Sequence, residues 1–455
     1  MKLDKEVRNY FKKWQKKEQV YLDFDIDEVE FEKKLISSVF DIVRRGASPR
    51  PIKDFIVSND YSGEKFNWLK IGDVTKSNIY LKNTEEYINS DGMKKSVLGK
   101  KGDFLITNSM TIGVPIILDI DTCFHDGFLY LGFLDENAVN YSNLYLFYFF
   151  LSYRSHLKAI SKTGVVSNLN TDIVKNEHIL LPIGDKDFSR GIQDKLVAFI
   201  EYYKAQFDKY RKLISQLKSQ IESLDKAFLP AIFSAEKDSF IVEYFDQWSI
   251  GKQLSIKFND INFERCVLKE LCSFPPLSRV KGKADLSIQE YASLSSQEQS
   301  KYFPLISGTM LNNQITGYLH KDRLSANSLS PSPVLSWTRI NASQFFIQNN
   351  PVVTNDDSFI LAPNDPENIK FIYYSILAEM SKSQFSWTNK AGKEKVKNIS
   401  IYSLNNSDFS SAIVEFIDEW HNWRDEIFRR IDQLSTSIDQ AEEALIAKTF
   451  KGSEE

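Results

Sequence analysis

Two stretches of the chain carry apolar residues at alternating spacings of four and three. Tyr203, Phe207, Tyr210, Ile214, Leu217, Ile221, Leu224 and Phe228 form one series. Trp420, Arg424, Ile427, Ile431, Leu434, Ile438, Ala441 and Leu445 form the other. That spacing is the a/d seam of a left-handed coiled coil, and it predicts two long helices. Arg424 alone interrupts the second series, and a snorkelling guanidinium would let its stem stay on the seam. Pro230 is expected to stop the first helix, and Lys451-Gly452 supplies a C-cap signal after the second.

The two helices are copies of each other. Sliding Ile192–Phe233 onto Phe409–Phe450 needs no gap and aligns ten identities at an offset of 217, among them Phe199/Phe416, Ile214/Ile431, Leu217/Leu434 and Phe233/Phe450. A fixed internal period of this kind sets the architecture before any local reading does. Residues 189–237 hold nine Lys or Arg against six Asp or Glu, whereas residues 406–455 hold five against twelve. Opposite balances on two heptad helices favour their pairing within one chain.

Ahead of each long helix the pattern is one of short apolar runs broken by Gly, Pro and Asp. Residues 68–74, 102–107 and 114–119 read as strands, and 141–155 as a buried helix. Residues 302–306, 334–337, 345–347 and 358–361 read as strands, and 368–380 as a helix. The fold class expected is α/β (α+β), with two globular domains separated by two long helices that form an intramolecular antiparallel coiled coil. The boundaries drawn are a helical N-terminal extension over 1–39, a first domain over 40–188, the first long helix over 189–237, a second domain over 238–405 and the second long helix over 406–455.

Composition narrows the chemistry. The 455 residues are 42% hydrophobic and 13% aromatic, with a net charge of −4, which describes a globular chain and not one coated in basic residues. Cys123, Cys266 and Cys272 have neither CxxC spacing nor His partners, so neither zinc nor a disulfide framework is expected, and a cytoplasmic setting fits. No apolar run is long enough for a membrane span, and the Lys-rich start does not read as a signal peptide. Catalytic signatures are missing as well. Phe274-Pro-Pro-Leu lacks the polar residue needed to hold an adenine amino group, and no Gly-rich fingerprint offers a nucleotide site. The five histidines are isolated, and His125-Asp126 reads as a surface turn before it reads as a metal or acid/base pair. No catalytic residue, metal or cofactor is expected.

Arg44-Arg-Gly-Ala-Ser-Pro, Phe66-Asn-Trp-Leu-Lys-Ile-Gly-Asp-Val and Gly102-Asp-Phe-Leu-Ile-Thr resemble the opening strands of a target-recognition domain in type I restriction–modification specificity subunits. Lys162-Thr-Gly-Val-Val-Ser-Asn-Leu and Ile179-Leu-Leu-Pro resemble that domain's closing element. Phe303-Pro-Leu-Ile-Ser-Gly, Asn312-Asn-Gln-Ile-Thr-Gly-Tyr-Leu and Lys395-Val-Lys-Asn-Ile-Ser-Ile are similar to the second domain of the same family. The resemblance covers about residues 40–450. Two departures stand out: a long N-terminal extension, and Ile399-Ser-Ile where the family usually has an apolar-Pro exit.

The resemblance implies that each domain reads one half of a split double-stranded DNA site and that the coiled coil sets the gap. It also implies docking of methyltransferase subunits, expected to be two, and of restriction/translocase subunits through the complex. From Leu196 to Leu229 is 34 residues, a rod of roughly 50 Å, or ~15 base pairs.

Candidate DNA contacts follow from residue type, since Lys and Arg meet phosphates while Arg, Asn, Gln and Ser read base edges. In the first domain they are Arg44, Arg45, Arg50 and Lys53, then Lys94, Lys95, Lys100 and Lys101, and the polar triplet Thr107-Asn108-Ser109. In the second they are Arg279, Lys281 and Lys283, the triplet Asn312-Asn313-Gln314, and Asn389, Lys390, Lys393, Lys395 and Lys397, a run that Gly392 is expected to keep flexible. Two other classes compete with this reading: a coiled-coil adaptor that joins proteins without touching DNA, and a cryptic nuclease.

Overall fold

A computed structural model describes residues 1–134, 139–161, 169–338, 344–355, 357–380 and 390–451. Six helices frame it: α1 (Lys5–Lys17), α2 (Asn143–Ile160), α3 (Lys186–Ile232), α4 (Ser239–Gly251), α5 (Ile369–Met380) and α6 (Ser407–Lys451). α3 and α6 run 47 and 45 residues, so the heptad reading holds, and Pro230 lies inside the last turn of α3 instead of stopping it. The proline costs the helix one bond, the one the Lys226 carbonyl would accept, and the helix ends two residues later.

The chain divides into two compact units, residues 1–214 with 432–455, and residues 215–431. Each therefore holds one end of α3 and the opposite end of α6, which makes the pair antiparallel. In the first unit Arg211 donates to Asp439 (2.8 Å) and Glu442 (2.6 Å) across the helix pair. In the second, Phe228 stacks on Trp420 at 4.2 Å, and Arg424 donates to Asp225 at 2.8 Å. Arg424 is thus held by a facing carboxylate, which is why a charge is tolerated on the seam.

The first 39 residues are not an appendage. Asp4 caps α1 by accepting from the N–H groups of Glu6 and Val7, and Asp238 caps α4 in the same way. At an offset of 234, Val7, Tyr10, Phe11, Trp14 and Gln19 match Ile241, Tyr244, Phe245, Trp248 and Gln253. Both glutamines adopt the left-handed backbone that follows a helix end, with φ of 52° and 58°. Phe11 packs on Phe199 at 5.3 Å, and Phe245 packs on Phe416, the copy of Phe199, at 5.1 Å. The repeat therefore spans the whole chain: short helix, domain, long helix, twice.

Each domain joins this helical frame through a two-stranded antiparallel neck. Strand Phe31–Leu35 pairs with His178–Pro182, and Glu264–Val267 pairs with Ser400–Ser403. The second neck forms without the apolar-Pro exit, because Ile401 is buried at the position where pairing is made.

The first domain has two five-stranded sheets. One runs in the order Ile56–Val57, Glu86–Asn89, Lys65–Leu69, Thr122–Phe124, Val97–Gly99, with Lys65–Leu69 and Thr122–Phe124 parallel. The other runs Ile42–Arg45, Phe128–Gly132, Phe104–Thr107, Pro115–Leu118, Tyr80–Leu81. Ile71–Lys76, read from sequence as the end of a strand, is a helical turn closed by the Asp73 carboxylate on the Lys70 N–H. The second domain has a three-stranded sheet, Ile315–His320, Tyr302–Ile306, Val353–Thr354, and a four-stranded one, Cys272–Ser273, Ser358–Pro363, Val334–Thr338, Phe345–Gln348. Tyr302–Ile306 and Val353–Thr354 are again parallel, so a parallel pair of this kind occurs in both domains, at the sheet edge in the second.

Candidate nucleic-acid interface

In the first domain the loops beyond the parallel strand pair enclose a cleft of about 1390 Å³. The 48–53 loop, with Arg50 and Lys53, forms one wall; Lys70, Gly72, Thr75 and Glu86 form the other. Trp68 and His125 lie against each other, their rings 6.3 Å apart, and Met110 stands on the rim at 88% exposure. Met110 heads the turn after Phe104–Thr107 in a left-handed backbone (φ 55°) that Met rarely adopts, so the turn is held by its surroundings. Asp126 organises the basic wall. It accepts from Ser48 at 2.8 Å and lies within 4 Å of Arg45 and Arg50. The Ser48 hydroxyl, then its own backbone N–H, then Arg45, hold its carboxyl below the usual range against burial.

The polar triplet after Phe104–Thr107 does not face outward as expected. Thr107 and Asn108 are buried: Thr107 donates to the Thr111 carbonyl, and Asn108 donates to the Asp126 carbonyl at 3.1 Å. They hold the turn that presents Met110 and leave only half-buried Ser109 near the surface. Lys100 and Lys101 lie at the other end of the same strands, paired with Asp121 (2.8 Å) and Asp119 (2.6 Å). Lys94 pairs with Asp91, Lys95 covers the Phe55 ring, and Arg44 covers that of Tyr130. Of the first domain's candidates the structure thus places Arg50 and Lys53 on one cleft, holds Arg45 near Arg50 through Asp126, and leaves the other lysines apart from it.

In the second domain two basic clusters more than a hundred residues apart in sequence come near enough for the Arg279 charge to act on Lys393. Lys393 donates to the Phe274 carbonyl at 2.9 Å and Lys397 lies over the Phe274 ring, while Arg279 covers Phe359. Burial, then the Lys397 charge, pushes the Lys393 ammonium below its ordinary value, with Arg279 adding to it. The run from Lys393 to Lys397 is a helical turn capped at Gly392 and not a flexible loop. Lys395 is exposed on it, Lys390 precedes it, and Lys281 and Lys283 stand exposed in a separate loop.

In the other triplet all three residues are left-handed, and Gln314 is fully buried. Its amide accepts from Ser336 at 2.6 Å, and Asn313 donates to the Ile347 carbonyl at 3.1 Å, so only Asn312 is free of a structural duty to neighbouring strands. Asn389 and the Lys162–Asn168 segment lie outside the described residues.

Along the long helices the heptad seam is covered unevenly. Ile221, Phe228, Trp420 and Ile431 are buried, whereas Tyr210, Leu217, Leu224 and Leu434 are each at least 44% exposed. Among the described residues no group of His, Cys, Asp and Glu is placed to hold a metal, and no helix is long and apolar enough to cross a membrane. The three cysteines are free thiols.

Two heads, each holding a parallel strand pair and exposed basic residues and each rooted through a two-stranded neck on an antiparallel helix pair, define a bipartite DNA-specificity protein. The chain belongs to the type I restriction modification DNA specificity domain family, whose sequence profile matches residues 28–223 and again 284–431. It is a DNA-specificity subunit. Among solved structures, it is similar to the HsdS subunit from Thermoanaerobacter tengcongensis, at 13% identity and a TM-score of 0.56, covering 93% of this chain and 97% of that one. It is also similar to a chain described under "complex assembly and conformational transition of the type I R-M system", at 15% identity and a TM-score of 0.62, with 93% and 98% covered. At these identities the likeness establishes the fold. No curated protein matches the chain in sequence.

Proposed function

We propose that each domain reads one half of a split double-stranded DNA target and that the long helices keep the two half-sites at one spacing. The observation that carries this reading is the complete duplication, in which every head comes with its own short helix, neck and long helix. A continuous helix of 47 residues is roughly 70 Å long and cannot be shortened without unfolding turns, which favours a fixed gap.

The half-open seam supports helical partners. Tyr210, Leu217, Leu224 and Leu434 offer apolar knobs to an incoming helix, and the duplication offers the same kind of face twice. Two methyltransferase subunits fit that arrangement, with restriction/translocase subunits joining through the complex. In this reading the chain itself is non-catalytic, works in the cytoplasm, and directs adenine methylation and cleavage performed by its partners.

The test is to co-express the chain with the methyltransferase encoded beside it and map methylated adenines across the host genome. A split motif with one fixed gap, lost on deleting this gene, is the expected result. Methylation unchanged by the deletion, or a short continuous motif, would overturn the reading.

A further inference from the structure

The turn that follows the second strand of the parallel pair carries an unusual device in both domains. In the first domain the Gly127 N–H donates to His125 Nδ1 at 2.8 Å. A neutral imidazole whose Nδ1 accepts a hydrogen bond carries its proton on Nε2, so the ring is fixed as a donor on that edge. Among the described residues Nε2 has no hydrogen-bond partner. The ring is also held in place: Phe128 lies 4.9 Å from it, and a Cβ added at Gly127 would come within 2.2 Å of its Cε1. Gly46 packs just as tightly on the His125 carbonyl. His125 lines the cleft beside Arg50 and Trp68 and is one-fifth exposed. Asp126 bonds Ser48 and lies near the arginines, with its carboxylate 4.0 Å from His125 Nδ1.

The second domain repeats the device with a different residue. Cys123 pairs with Trp68 across the first parallel ladder, and Val353 pairs with Leu305 across the second, which places His125 and Asn355 at the same register. The Asp357 N–H donates to Asn355 Oδ1 at 3.0 Å, again from two residues on, and the Ser358 hydroxyl donates to the same oxygen. With its oxygen occupied, the Asn355 amide presents its Nδ2 hydrogens, which have no partner among the described residues.

We propose that His125 and Asn355 are corresponding base-reading residues, His125 offering its Nε2–H and Asn355 an N–H of its fixed Nδ2 amide to a hydrogen-bond acceptor on the major-groove edge of a base. The acceptors there are purine N7, guanine O6 and thymine O4, whereas cytosine offers only a donor. Burial keeps the His125 ring neutral, which preserves the single-donor edge. A donor locked before binding loses little freedom on contact, and that sharpens discrimination. This inference rests on the DNA-reading function proposed above.

The test uses the chain in complex with its methyltransferase. Methylated adenines are mapped for the wild type, for His125→Phe and for Asn355→Ala. The expected result is that each variant becomes degenerate at one position, in different half-sites, with the gap unchanged. A wild-type motif from either variant overturns the assignment of that residue while leaving the split-site reading intact; a continuous wild-type motif sinks the reading itself. A second measurement does not depend on how the variants fold. The wild-type complex is titrated with targets in which 7-deazapurine, 2-aminopurine or 5-methyl-2-pyrimidinone removes one acceptor at a time. One deletion per half-site should weaken binding roughly three- to tenfold, the worth of a single hydrogen bond. If no deletion in a half-site weakens binding, the fixed-donor proposal is wrong for that domain.

Discussion

The Tyr148 hydroxyl donates to the Glu201 carboxylate, anchoring the last helix of the first domain to the long helix below it. Tyr374 makes the same bond to Asp418 in the second domain, and Glu201 and Asp418 are copies at the 217-residue offset. Burial, then the facing carboxylate, pushes both phenols well above their ordinary value, so both stay protonated donors through any physiological pH. Tyr148→Phe and Tyr374→Phe should each destabilise by about 1.5–3 kcal/mol, the range for hydrogen bonds to charged groups. Because the two pairs lie in separate units, urea midpoints of the double variant should show the sum of the single effects.

Arg424 and Asp225 bond across the helix pair with both side chains about a quarter exposed. Removing one partner leaves a partly buried charge, and solvent discounts that cost to on the order of 1–2 kcal/mol. Arg424→Leu should therefore destabilise, while Arg424→Leu with Asp225→Leu should recover most or all of the loss. A double-mutant cycle by thermal unfolding checks this; a double variant as unstable as the sum of the singles would contradict it.

Arg50 and Lys53 wall the first domain's cleft, whereas Lys100 and Lys101 are neutralised at the opposite strand ends. Replacing Arg50 or Lys53 by Ala should lower affinity for all sequences alike and reduce the slope of log K against log salt by about one. Replacing Lys100 or Lys101 should leave that slope unchanged. Binding titrations of the complex at several salt concentrations separate the two pairs.

His125 and His421 both sit below the ordinary imidazole value, burial being the main cause in each. Arg45 and Lys70 add to it at His125 and Arg424 at His421, against Asp126 and Asp73 in the first case and Asp225, Asp418 and Asp425 in the second. A depressed folded-state value means that the unfolded chain binds protons more readily. Their contribution is complete above about pH 6.5, the unfolded value, and is lost as pH falls below it. Urea midpoints should drop between pH 7.5 and 5.5, and less steeply when both histidines are replaced by Phe. An equally steep drop in that variant would assign the loss elsewhere.

The frame was legible because it is periodic. A 4/3 apolar spacing and a gap-free offset need no knowledge of distant contacts, so both long helices could be read directly, whereas only seven strand segments were, and the one at 68–74 runs into the helical turn Ile71–Lys76. The shorter repeat of α1 and α4 escaped because its shared residues, Asp4/Asp238, Phe11/Phe245 and Trp14/Trp248, are few and widely spaced. The reading surface was harder for a different reason. Polar residues after strands look alike in sequence whether they face solvent, as Asn312 does, or close a turn, as Asn108 and Gln314 do. His125 was passed over as a turn residue because the bond from the Gly127 N–H that fixes its ring forms only when the turn closes, and Trp68, with which it lines the cleft, lies far away in sequence.

The two-stranded necks have an evolutionary reach. Leu35 and His178 face each other in the first, so the chain leaves the helical frame and returns to it at one point. Whatever is threaded between those residues must bring its own ends together and seat one helix on the long pair, as Tyr148 does on Glu201. A new head that keeps those two joints can be spliced in whatever its size or taste in sequence.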